Sequence, residues 1–470
     1  MSAEGYRGLP ADLEALLEKY DRPGPRYTSY PTAPAWRDLG PDELRAALHR
    51  YAAADDAGEA PPLSLYVHIP FCAERCLYCG CNVVIAPRDK VSEPYMEALD
   101  ADIALNVAEL GAKRRVSQLH LGGGTPTYLQ PEQLERLIGW LKERFDFLPD
   151  AELSIEVDPV VTTEDHVRTL RRIGFNRISM GVQDLCDRVQ QAVQRVQPAE
   201  RTYQFYSLCR DVGFDSVNMD LIYGLPFQTV ERFAETVEQV VEWGPDRVAV
   251  FNYAHVPWIK PHQEKMPAEA LPEPKEKVAI FLETSRIFTS NGYDAIGIDH
   301  FAKSDDTLAV ARRAENLRRN FMGYTTQPET ESIAFGVTSI GEIQGLYAQN
   351  ATRLSEYQRT VKEGRIPTRR GLRMSADDEL RNDVIMTLMC NLAIDKGRIE
   401  SKYGIDFDAT FADALEGLKS MADDGLVELE DDRIAIPERG QLFVRNAAML
   451  FDAYLRPAEG SDKPLFSRTV

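Results

Sequence analysis

The chain has 470 residues, of which 44% are apolar and 27% charged, and its formal net charge is −20. These proportions are typical of a soluble protein with a core large enough for more than one domain, and the negative charge disfavours general binding to nucleic acid or to anionic membranes. No run approaches the ~18 apolar residues of a membrane helix, and the first residues lack a signal-peptide core. Seven cysteines, an odd number, argue against a disulfide framework and predict a cytoplasmic protein.

The N-terminal segment is predicted to contain two helices joined by an irregular strap. Leucines at helical spacing predict a helix over residues 10–20, and a second helix is predicted over 41–51. Residues 24–33 lie between them and contain two prolines, so they cannot form a regular helix. The arginine and tyrosines of this strap could pack over a flat anionic ligand, and a surface connection to the next domain explains them equally well.

Strand-like runs alternate with helix-period segments from residue 63 onward. The strands are predicted at 63–69, 116–121, 152–157, 176–182, 216–222 and 247–252, and the helices at 93–109, 131–145, 164–173, 199–212 and 230–242. This alternation predicts a parallel sheet with right-handed crossovers. Six units are too few for a closed eightfold barrel, so we predict an α/β fold with a partly open (β/α)6 barrel. In such sheets, chemistry takes place at the carboxyl ends of the strands.

Four of the seven cysteines fall within ten positions, directly after the first predicted strand. Cys72, Cys76 and Cys79 have a C-x3-C-x2-C spacing, and Cys81 follows after one more residue. Thiolates favour iron–sulfur clusters, zinc or copper(I). A structural zinc site normally adds a second cysteine pair, which is absent here. Three cysteines on a four-iron cluster leave one iron open to a chelating molecule. We therefore favour an open iron–sulfur site over zinc and over buried structural thiols.

Glycines and polar residues follow the other predicted strands. Gly123, Gly124 and Thr125 come after the second strand, where consecutive glycines allow a ligand to approach the backbone closely. The remaining positions are Glu156 near the end of strand three, Gln183 just past strand four, Asp220 late in strand five and Ala254 after strand six. Arg195 could form a bidentate pair with a carboxylate. These residues are predicted to share one mouth of the barrel, although a solvated surface or an ion pair explains any single charged residue.

The part of the chain after residue 254 is predicted to leave the repeating pattern. A proline-containing stretch is followed by a helix at 275–290 and a short strand at 294–297. Helices at 377–392, 408–423 and 438–454, with a hairpin turning at Asp431 and Asp432, resemble a winged helix. The hairpin is acidic, so we disfavour DNA binding and prefer a lid or wall over the barrel mouth.

The predicted division of the chain is an N-terminal helix and strap at 1–62, the barrel at 63–300, a connecting segment extending the barrel at 301–370, and a mainly helical, winged-helix-like domain at 371–470.

Several sequence motifs resemble those of one enzyme family. The spacing C-x3-C-x-Y-C resembles the signature of the radical S-adenosylmethionine (SAM) enzymes. The longer string L-Y-V-H-I-P-F-C-x3-C-L-Y-C-G-C-N is similar to that of the oxygen-independent coproporphyrinogen III oxidases within this superfamily. Further similar blocks are G-P-R-Y-T-S-Y-P-T-A at 24–33, G-G-G-T-P-T at 122–127, S-I-E-V-D-P at 154–159, S-M-G-V-Q-D at 179–184, D-L-I-Y-G-L-P at 220–226 and V-F-N-Y-A-H at 250–255. The resemblance runs from about residue 15 to the end.

The resemblance implies a function and its cofactors. Members convert two propionate side chains of coproporphyrinogen III to vinyl groups, giving protoporphyrinogen IX in anaerobic haem biosynthesis. A [4Fe-4S] cluster on Cys72, Cys76 and Cys79 and SAM, with a second SAM expected, are implied. Implied SAM contacts are Tyr66, Tyr78, Gly123, Gly124, Thr125, Glu156, Gln183, Arg195, Asp220, Ala254 and Ile340. Tyr66 and Cys81 are candidate catalytic residues, and Cys81 is either a non-ligand near the second cofactor region or a packing residue. The resemblance also implies an electron donor, a terminal electron acceptor and a monomeric, cytoplasmic enzyme.

The remaining propionates require cations, and several arginines are candidates. Arg312, Arg313, Arg318 and Arg319 lie in one short run, and Arg26 lies in the strap. On a helix, these four arginines cannot all face the ligand, so at most two of them are predicted to contact it. A solvated basic face is an equal alternative.

Two other functions remain open from the sequence. The first is a haem-binding chaperone of the same superfamily, against which Cys81 in C-G-C-N and the N-terminal strap argue. The second is a radical SAM methyltransferase or cyclase, which the extended motifs disfavour.

Overall fold

The computed structural model describes residues 11–327, 331–455 and 466–469. Strands β1 to β20 span Arg37–Asp38, Leu63–Ile69, Phe71–Cys72, Val84–Ile85, Arg115–Gly123, Asp146–Val157, Arg177–Gln183, Ser216–Tyr223, Arg247–Asn252, Tyr293–Ile296, His300–Lys303, Arg318–Asn320, Gly323–Thr325, Glu331–Phe335, Ile340–Ile343, Leu346–Asn350, Thr368–Arg373, Ala393–Asp395, Glu428–Leu429 and Arg433–Ala435. Helices α1 to α16 span Ala11–Tyr20, Pro41–Asp56, Arg88–Leu110, Pro131–Arg144, Glu164–Ile173, Asp187–Ala192, Ala199–Val212, Val230–Trp243, Pro274–Ser290, Thr307–Arg313, Leu354–Lys362, Ala376–Asn391, Lys396–Tyr403, Phe407–Thr410, Ala412–Asp423 and Val444–Met449. Short 3-10 helices cover Ala33–Ala35, Pro126–Tyr128, Pro261–Lys265, Ala268–Ala270 and Glu438–Phe443.

One large sheet organises the chain. Its 13 strands have the order β1-β17-β16-β15-β14-β2-β5-β6-β7-β8-β9-β11-β10. Strands β14, β2, β5, β6, β7, β8 and β9 run parallel, and the strands outside them pair antiparallel. The ends of this order, β1 and β10, do not pair with each other in the described residues. The partly open parallel barrel predicted from the sequence is therefore confirmed.

Alternation along the strands separates the barrel interior from the core. In β7, buried Ile178, Met180 and Val182 alternate with partly exposed Arg177 and Ser179. The apolar set packs in the main core with residues of the surrounding helices. The polar set faces the barrel interior, since successive side chains along one strand point to opposite faces of the sheet. The barrel therefore has an apolar outer layer and a polar lining.

A second core joins the N-terminal helix to the C-terminal part of the chain. Leu16, Leu17 and Tyr20 of α1 belong to the same buried cluster as Leu388 and Leu418. The strap is held there as well, because the Tyr27 hydroxyl donates to Asp452 at 2.9 Å and Arg445 Nε donates to the Pro25 carbonyl at 2.9 Å. Within the described residues, no helix combines the length and the apolar character needed to cross a bilayer.

Two features of the fold differ from the sequence predictions. The predicted final helix over 438–454 is instead a 3-10 helix followed by the short α16. Gly440 lies in this 3-10 segment, and a Cβ there would be 2.0 Å from the Leu426 carbonyl oxygen, so the segment packs closely against the chain entering β19. Strands β14 to β17 were not predicted, and β14 pairs with β2 although more than 250 residues separate them.

A buried carboxylate fixes the loop between β14 and β15. Asp102 of α3 is fully buried and accepts hydrogen bonds from the Gly336 amide at 2.9 Å, the Tyr357 hydroxyl at 2.9 Å and the Asn106 side chain at 3.1 Å. Burial raises its pKa to about 7, and these hydrogen bonds oppose the shift. The loop leads directly into Ile340 at the start of β15.

We expect Asp102→Ala to lower the free energy of unfolding by roughly 3–5 kcal/mol, because several buried donors lose their acceptor. Urea denaturation measures this loss, and Asp102→Asn, which keeps one acceptor oxygen, should lose less.

The native pKa of Asp102 is raised, so the stabilising contribution of its carboxyl group is fully present below the unfolded pKa of 3.8 and is lost as the pH rises towards about 7. An Asp102→Asn variant that kept this pH dependence would contradict the assignment.

Candidate active site

The cysteine-bearing loop leaves the carboxyl end of β2 and is closed by two short parallel strands. Cys72 lies on β3, which pairs with β4, and the Val84 amide donates to the Pro70 carbonyl at 2.7 Å. Cys72, Cys76 and Cys79 are partly buried, whereas Cys81 is exposed. The loop is therefore held at both ends and presents three thiols at the barrel mouth.

Each of the three partly buried thiols has a polar neighbour. Arg195 Nη1 lies 3.6 Å from Cys76 Sγ, and Thr125 Oγ1 lies 3.5 Å from Cys72 Sγ. The interaction with Cys81 lowers the pKa of the Cys79 thiol, and the same interaction, together with burial, raises the pKa of Cys81. Burial raises the pKa of Cys72 to about 11. Cys79 is therefore the more acidic thiol of this pair.

The loop that follows β9 holds the backbone of the cysteine loop. His262 Nε2 lies 2.8 Å from the Cys79 carbonyl oxygen, and Gln263 donates to the Tyr78 carbonyl at 3.2 Å. Gln263 also donates to the carbonyl of Ala254 at 3.3 Å. This support was not predicted, since the proline-rich segment after residue 254 carries no chemical motif and its contacts join residues far apart in the chain.

The glycines at the end of β5 allow close contact with the cysteine loop. Gly123 has φ 113°, and a Cβ there would lie 2.5 Å from the His68 ring. A Cβ on Gly124 would lie 2.7 Å from the Phe71 carbonyl oxygen. The Thr125 amide donates to this same carbonyl at 2.8 Å. The structure therefore shows the glycines in close contact with the chain entering Cys72, whereas the sequence predicted a close approach by a ligand.

An aromatic and acidic group lines the barrel interior across β2, β5 and β6. The Tyr66 ring stacks on His120 with centroids 6.0 Å apart, and its hydroxyl lies 2.9 Å from His68 Nδ1. Glu156 accepts from the Gly123 amide at 3.1 Å and lies 3.5 Å from His120 Nε2. Burial in the barrel acts to raise the pKa of Glu156. The hydrogen bonds from His120 and the Gly123 amide and the charge of His120 lower it by more, so the pKa of Glu156 lies below its usual value. The side chain is 45% exposed to the barrel interior and carries a negative charge at neutral pH.

A second acidic position lies across the barrel on β8. Asp220 accepts from the Ser179 hydroxyl at 3.0 Å and from the Asn218 amide at 2.7 Å. Burial and the nearby charge of Glu156 raise its pKa to about 6. Asp220 is therefore mainly ionised at neutral pH, and the barrel interior contains two carboxylates on different strands.

Arg195 connects the cysteine loop with the ends of β6 and β7. Besides its contact with Cys76, it forms an ion pair with Asp158 at 2.8 Å and donates to the Gly181 carbonyl at 2.8 Å. Gln183 ends β7 with φ 68° at a register shift opposite β8, and its side chain lies beside Gly181. The sequence suggested a carboxylate partner for Arg195, and in the structure Asp158 of this chain fills that position.

The other SAM contacts predicted from the sequence, Tyr78, Ala254 and Ile340, lie on three separate parts of the chain. Tyr78 packs against the cluster of Leu77 and Val193 beneath the cysteine loop, and Ala254 follows β9. Ile340 begins β15, two strands away from β2, and packs beside the aromatic residue Trp36. Sequence reasoning missed His68, His120, Asp158, Asn218 and His262. His68 and His120 could have been found from the sequence, because polar residues alternate with apolar ones along their strands, as in Y-V-H at 66–68.

The donor set fits an iron–sulfur cluster. Three soft thiolate ligands with hydrogen-bonding support lie on one loop, as such clusters require. In the described part of the chain, no three His, Cys, Asp or Glu side chains converge closely enough to ligate a single ion. His68 Nε2, buried beside Gly123, has no hydrogen-bond partner among the described residues, which leaves it available to a ligand in the barrel.

Comparisons with known proteins identify the family. The profile of the radical SAM superfamily matches residues 66–240, and that of the HemN C-terminal domain matches 374–443. The oxygen-independent coproporphyrinogen III oxidase of Escherichia coli (strain K12) is 46% identical over 457 residues, covering 97% of this chain and 98% of the relative. The Synechocystis enzyme of the same name is 43% identical over 462 residues, covering 97% of each chain. The solved structure described as "Coproporphyrinogen III oxidase (HemN) from Escherichia coli is a Radical SAM enzyme" superposes with a TM-score of 0.88 at 44% identity, covering 94% of this chain and 99% of that one. The chain belongs to the oxygen-independent coproporphyrinogen III oxidase family, whose members are radical SAM enzymes with a [4Fe-4S] cluster.

Proposed function

We propose that this chain removes two propionate carboxyl groups from coproporphyrinogen III and yields protoporphyrinogen IX. In each event a –CH2–CH2–COO⁻ side chain becomes –CH=CH2. One hydrogen atom, one CO2 and one electron leave, and the electron passes to a terminal acceptor. The observation that carries the proposal is the cysteine loop at the carboxyl end of β2, where Glu156 and Asp220 face the same barrel interior. When bound, the cluster and SAM supply a 5′-deoxyadenosyl radical that takes the hydrogen atom.

The residues of the site divide into three roles in this proposal. Cys72, Cys76 and Cys79 hold the cluster, and Arg195 orients the loop by its contact with Cys76. Glu156 and Asp220 accept hydrogen bonds from the hydroxyls and the ammonium group of SAM, a role that their negative charge supports. The remaining SAM contacts implied by the family resemblance are proposed for Tyr66, Tyr78, Gly123, Gly124, Thr125, Gln183, Arg195, Ala254 and Ile340.

The finer features of the enzyme belong to the same proposal. Two SAM molecules serve each turnover, because two propionates react and each event consumes one SAM. An electron donor reduces the cluster, and the chain acts as a monomer in the cytoplasm. The seven unpaired cysteines support the cytoplasmic location, because free thiols persist in a reducing compartment. The division into a strap, barrel, connecting segment and C-terminal domain at residues 62, 300 and 370 also remains a proposal.

The decisive experiment is anaerobic incubation of the reduced, cluster-loaded protein with SAM and coproporphyrinogen III. We expect protoporphyrinogen IX, two CO2 released for each product, and 5′-deoxyadenosine. Identity over almost the full length of named oxidases favours this outcome over a haem chaperone. Haem transfer to an acceptor without release of CO2 would instead support the chaperone function.

A further inference from the structure

A cavity of about 1000 Å³ lies beside the candidate active site. Its walls come from α1, α9, the strands β10 and β11, and the C-terminal α16. Tyr223 and Asn252, the last residues of β8 and β9, form the end nearest the barrel mouth. These are the strands that carry Asp220 and lead into Ala254. The volume is at the upper end of the range for small-molecule pockets, so a molecule as large as a tetrapyrrole is the appropriate size class.

Several arginines line this cavity, and most of them have their charge or donors satisfied by the protein. Arg439 pairs with Asp12 at 2.8 Å, and Arg286 pairs with Glu283 at 2.6 Å. Arg445 donates to backbone carbonyls of the strap and of the C-terminal residues. These cations hold the cavity wall in place.

Arg26 and Arg312 are different, because no carboxylate of the described chain lies within ion-pair distance of either. The only hydrogen bond of Arg26 among the described residues runs from Nη2 to the Asn252 carbonyl at 2.6 Å. The side chain of Arg312 makes no hydrogen bond with a described residue, and its Nε is buried without a partner there. Burial lowers the pKa of Arg312, and the charges of Asp294 and Glu315 oppose this shift without reversing it. Both guanidinium groups therefore keep donors for an anionic ligand.

The neighbour of Arg312 in sequence provides an internal comparison. Arg313 is exposed, pairs with Asp294 and donates to the Ser304 carbonyl at 2.6 Å. The two arginines share the last turn of α10, but only Arg312 lines the cavity. The helical spacing assumed for the four arginines of this run is wrong for two of them, because Arg312 and Arg313 lie on α10 whereas Arg318 and Arg319 lie on β12.

Other residues at the barrel end of the cavity suit a flat, polar ligand. The rings of Tyr223 and Phe281 lie 5.5 Å apart and form an aromatic wall. Asn252 Oδ1 is buried without a hydrogen-bond partner in the described chain, so it can accept from a donor such as a pyrrole N–H. Lys277 adds a further positive charge, although burial and the charge of Arg26 lower its pKa to about 8.

We propose that this cavity holds the tetrapyrrole, with Arg312 and Arg26 binding two of its carboxylates from different walls. This inference rests on the proposed function, which requires a tetracarboxylate substrate next to the barrel mouth. The planar fork of arginine pairs with a carboxylate through two parallel hydrogen bonds, which suits propionate recognition. The aromatic pair would then lie against the pyrrole rings.

The test compares binding of coproporphyrin III with binding of its tetramethyl ester, which has the same ring but no carboxylate. The ligands are titrated into cluster-loaded protein and followed by porphyrin fluorescence. We expect Arg312→Gln to weaken binding of the free acid about tenfold to a hundredfold, as for loss of a charged hydrogen-bonded pair. The same variant should bind the ester as the unmodified protein does. Arg313→Gln, the matched control, should change binding of the acid by less than about twofold.

Two results would overturn the inference. The first is unchanged binding of the acid by Arg312→Gln. The second is an equal loss for acid and ester, which would show that Arg312 acts through packing and not through a carboxylate. If Arg312→Gln does not fold, Arg26→Gln gives the same comparison from the other wall, with the same expected and contradicting results.

Turnover of the unmodified protein separates this inference from the proposed function. Charge-dependent binding without release of CO2 would leave the cavity assignment intact and reject the decarboxylation. Release of CO2 with binding that is insensitive to both arginines would support the decarboxylation and reject the assignment of the cavity. In the active protein, Arg312→Gln should raise KM for coproporphyrinogen III while leaving the iron content unchanged.

Discussion

Replacing Cys76 by serine is expected to abolish both the iron–sulfur absorbance and turnover. The hydroxyl of serine is a harder and less acidic ligand than a thiol, and the remaining two cysteines cannot hold a cluster alone. Cys72→Ser and Cys79→Ser should behave in the same way, because the three thiols lie on one loop closed by β3 and β4. Visible absorbance, iron content and the anaerobic decarboxylation assay measure the loss.

Cys81→Ser is the matched control for these variants. Cys81 is an exposed residue that lowers the pKa of the neighbouring Cys79, so it can assist a ligand without being one. We expect Cys81→Ser to keep the cluster absorbance and to lower activity. Loss of the cluster in this variant, or retention of the cluster in Cys76→Ser, would show that the ligand set has been assigned wrongly.

Gly124→Ala is expected to reduce turnover about a hundredfold, since misplacing a bound reactant by a fraction of an ångström to one ångström has costs of this size. A Cβ at this position would lie 2.7 Å from the Phe71 carbonyl oxygen, which belongs to the backbone entering the cysteine loop. The two chain segments must therefore move apart. The decarboxylation rate and the affinity for SAM should both fall, while the iron content falls less than in Cys76→Ser.

Gly139→Ala provides the control for adding a methyl group. Gly139 lies inside α4, is exposed, and has no atom within 4 Å of a built Cβ. We expect this variant to raise the free energy of unfolding by about 1 kcal/mol, because alanine favours a helix over glycine, with activity unchanged. Equal activities of Gly124→Ala and Gly139→Ala would contradict the proposed close contact at the barrel mouth.

The barrel was predictable from the sequence because the patterns that define its strands and helices are local. The alternation of apolar runs and helix-period segments located β2 and β5 to β9, and Gly123 and Asp220 fell at the predicted strand ends. The cysteine spacing similarly located a loop whose ligands are neighbours in the chain. Patterns of this kind depend on periodicity and spacing, which a single sequence contains.

Contacts between distant segments were not predictable in this way. The ion pair of Arg195 with Asp158 and the contact of His262 with the Cys79 carbonyl depend on how separate loops meet. Strand β14 joins β2 from a late part of the chain, and its five residues carry no distinctive pattern. The same limit applied to the arginines, since only packing of α10 against the cavity distinguishes Arg312 from Arg313.

The most direct test of the account is the electron paramagnetic resonance spectrum of the reduced protein, recorded with and without SAM. Three cysteine ligands leave one iron of the cluster without a protein ligand, so SAM should bind there and change the spectrum. The Cys81→Ser variant should show the same change. A cluster whose spectrum is identical with and without SAM, or a reconstituted protein that contains no iron, would contradict the account.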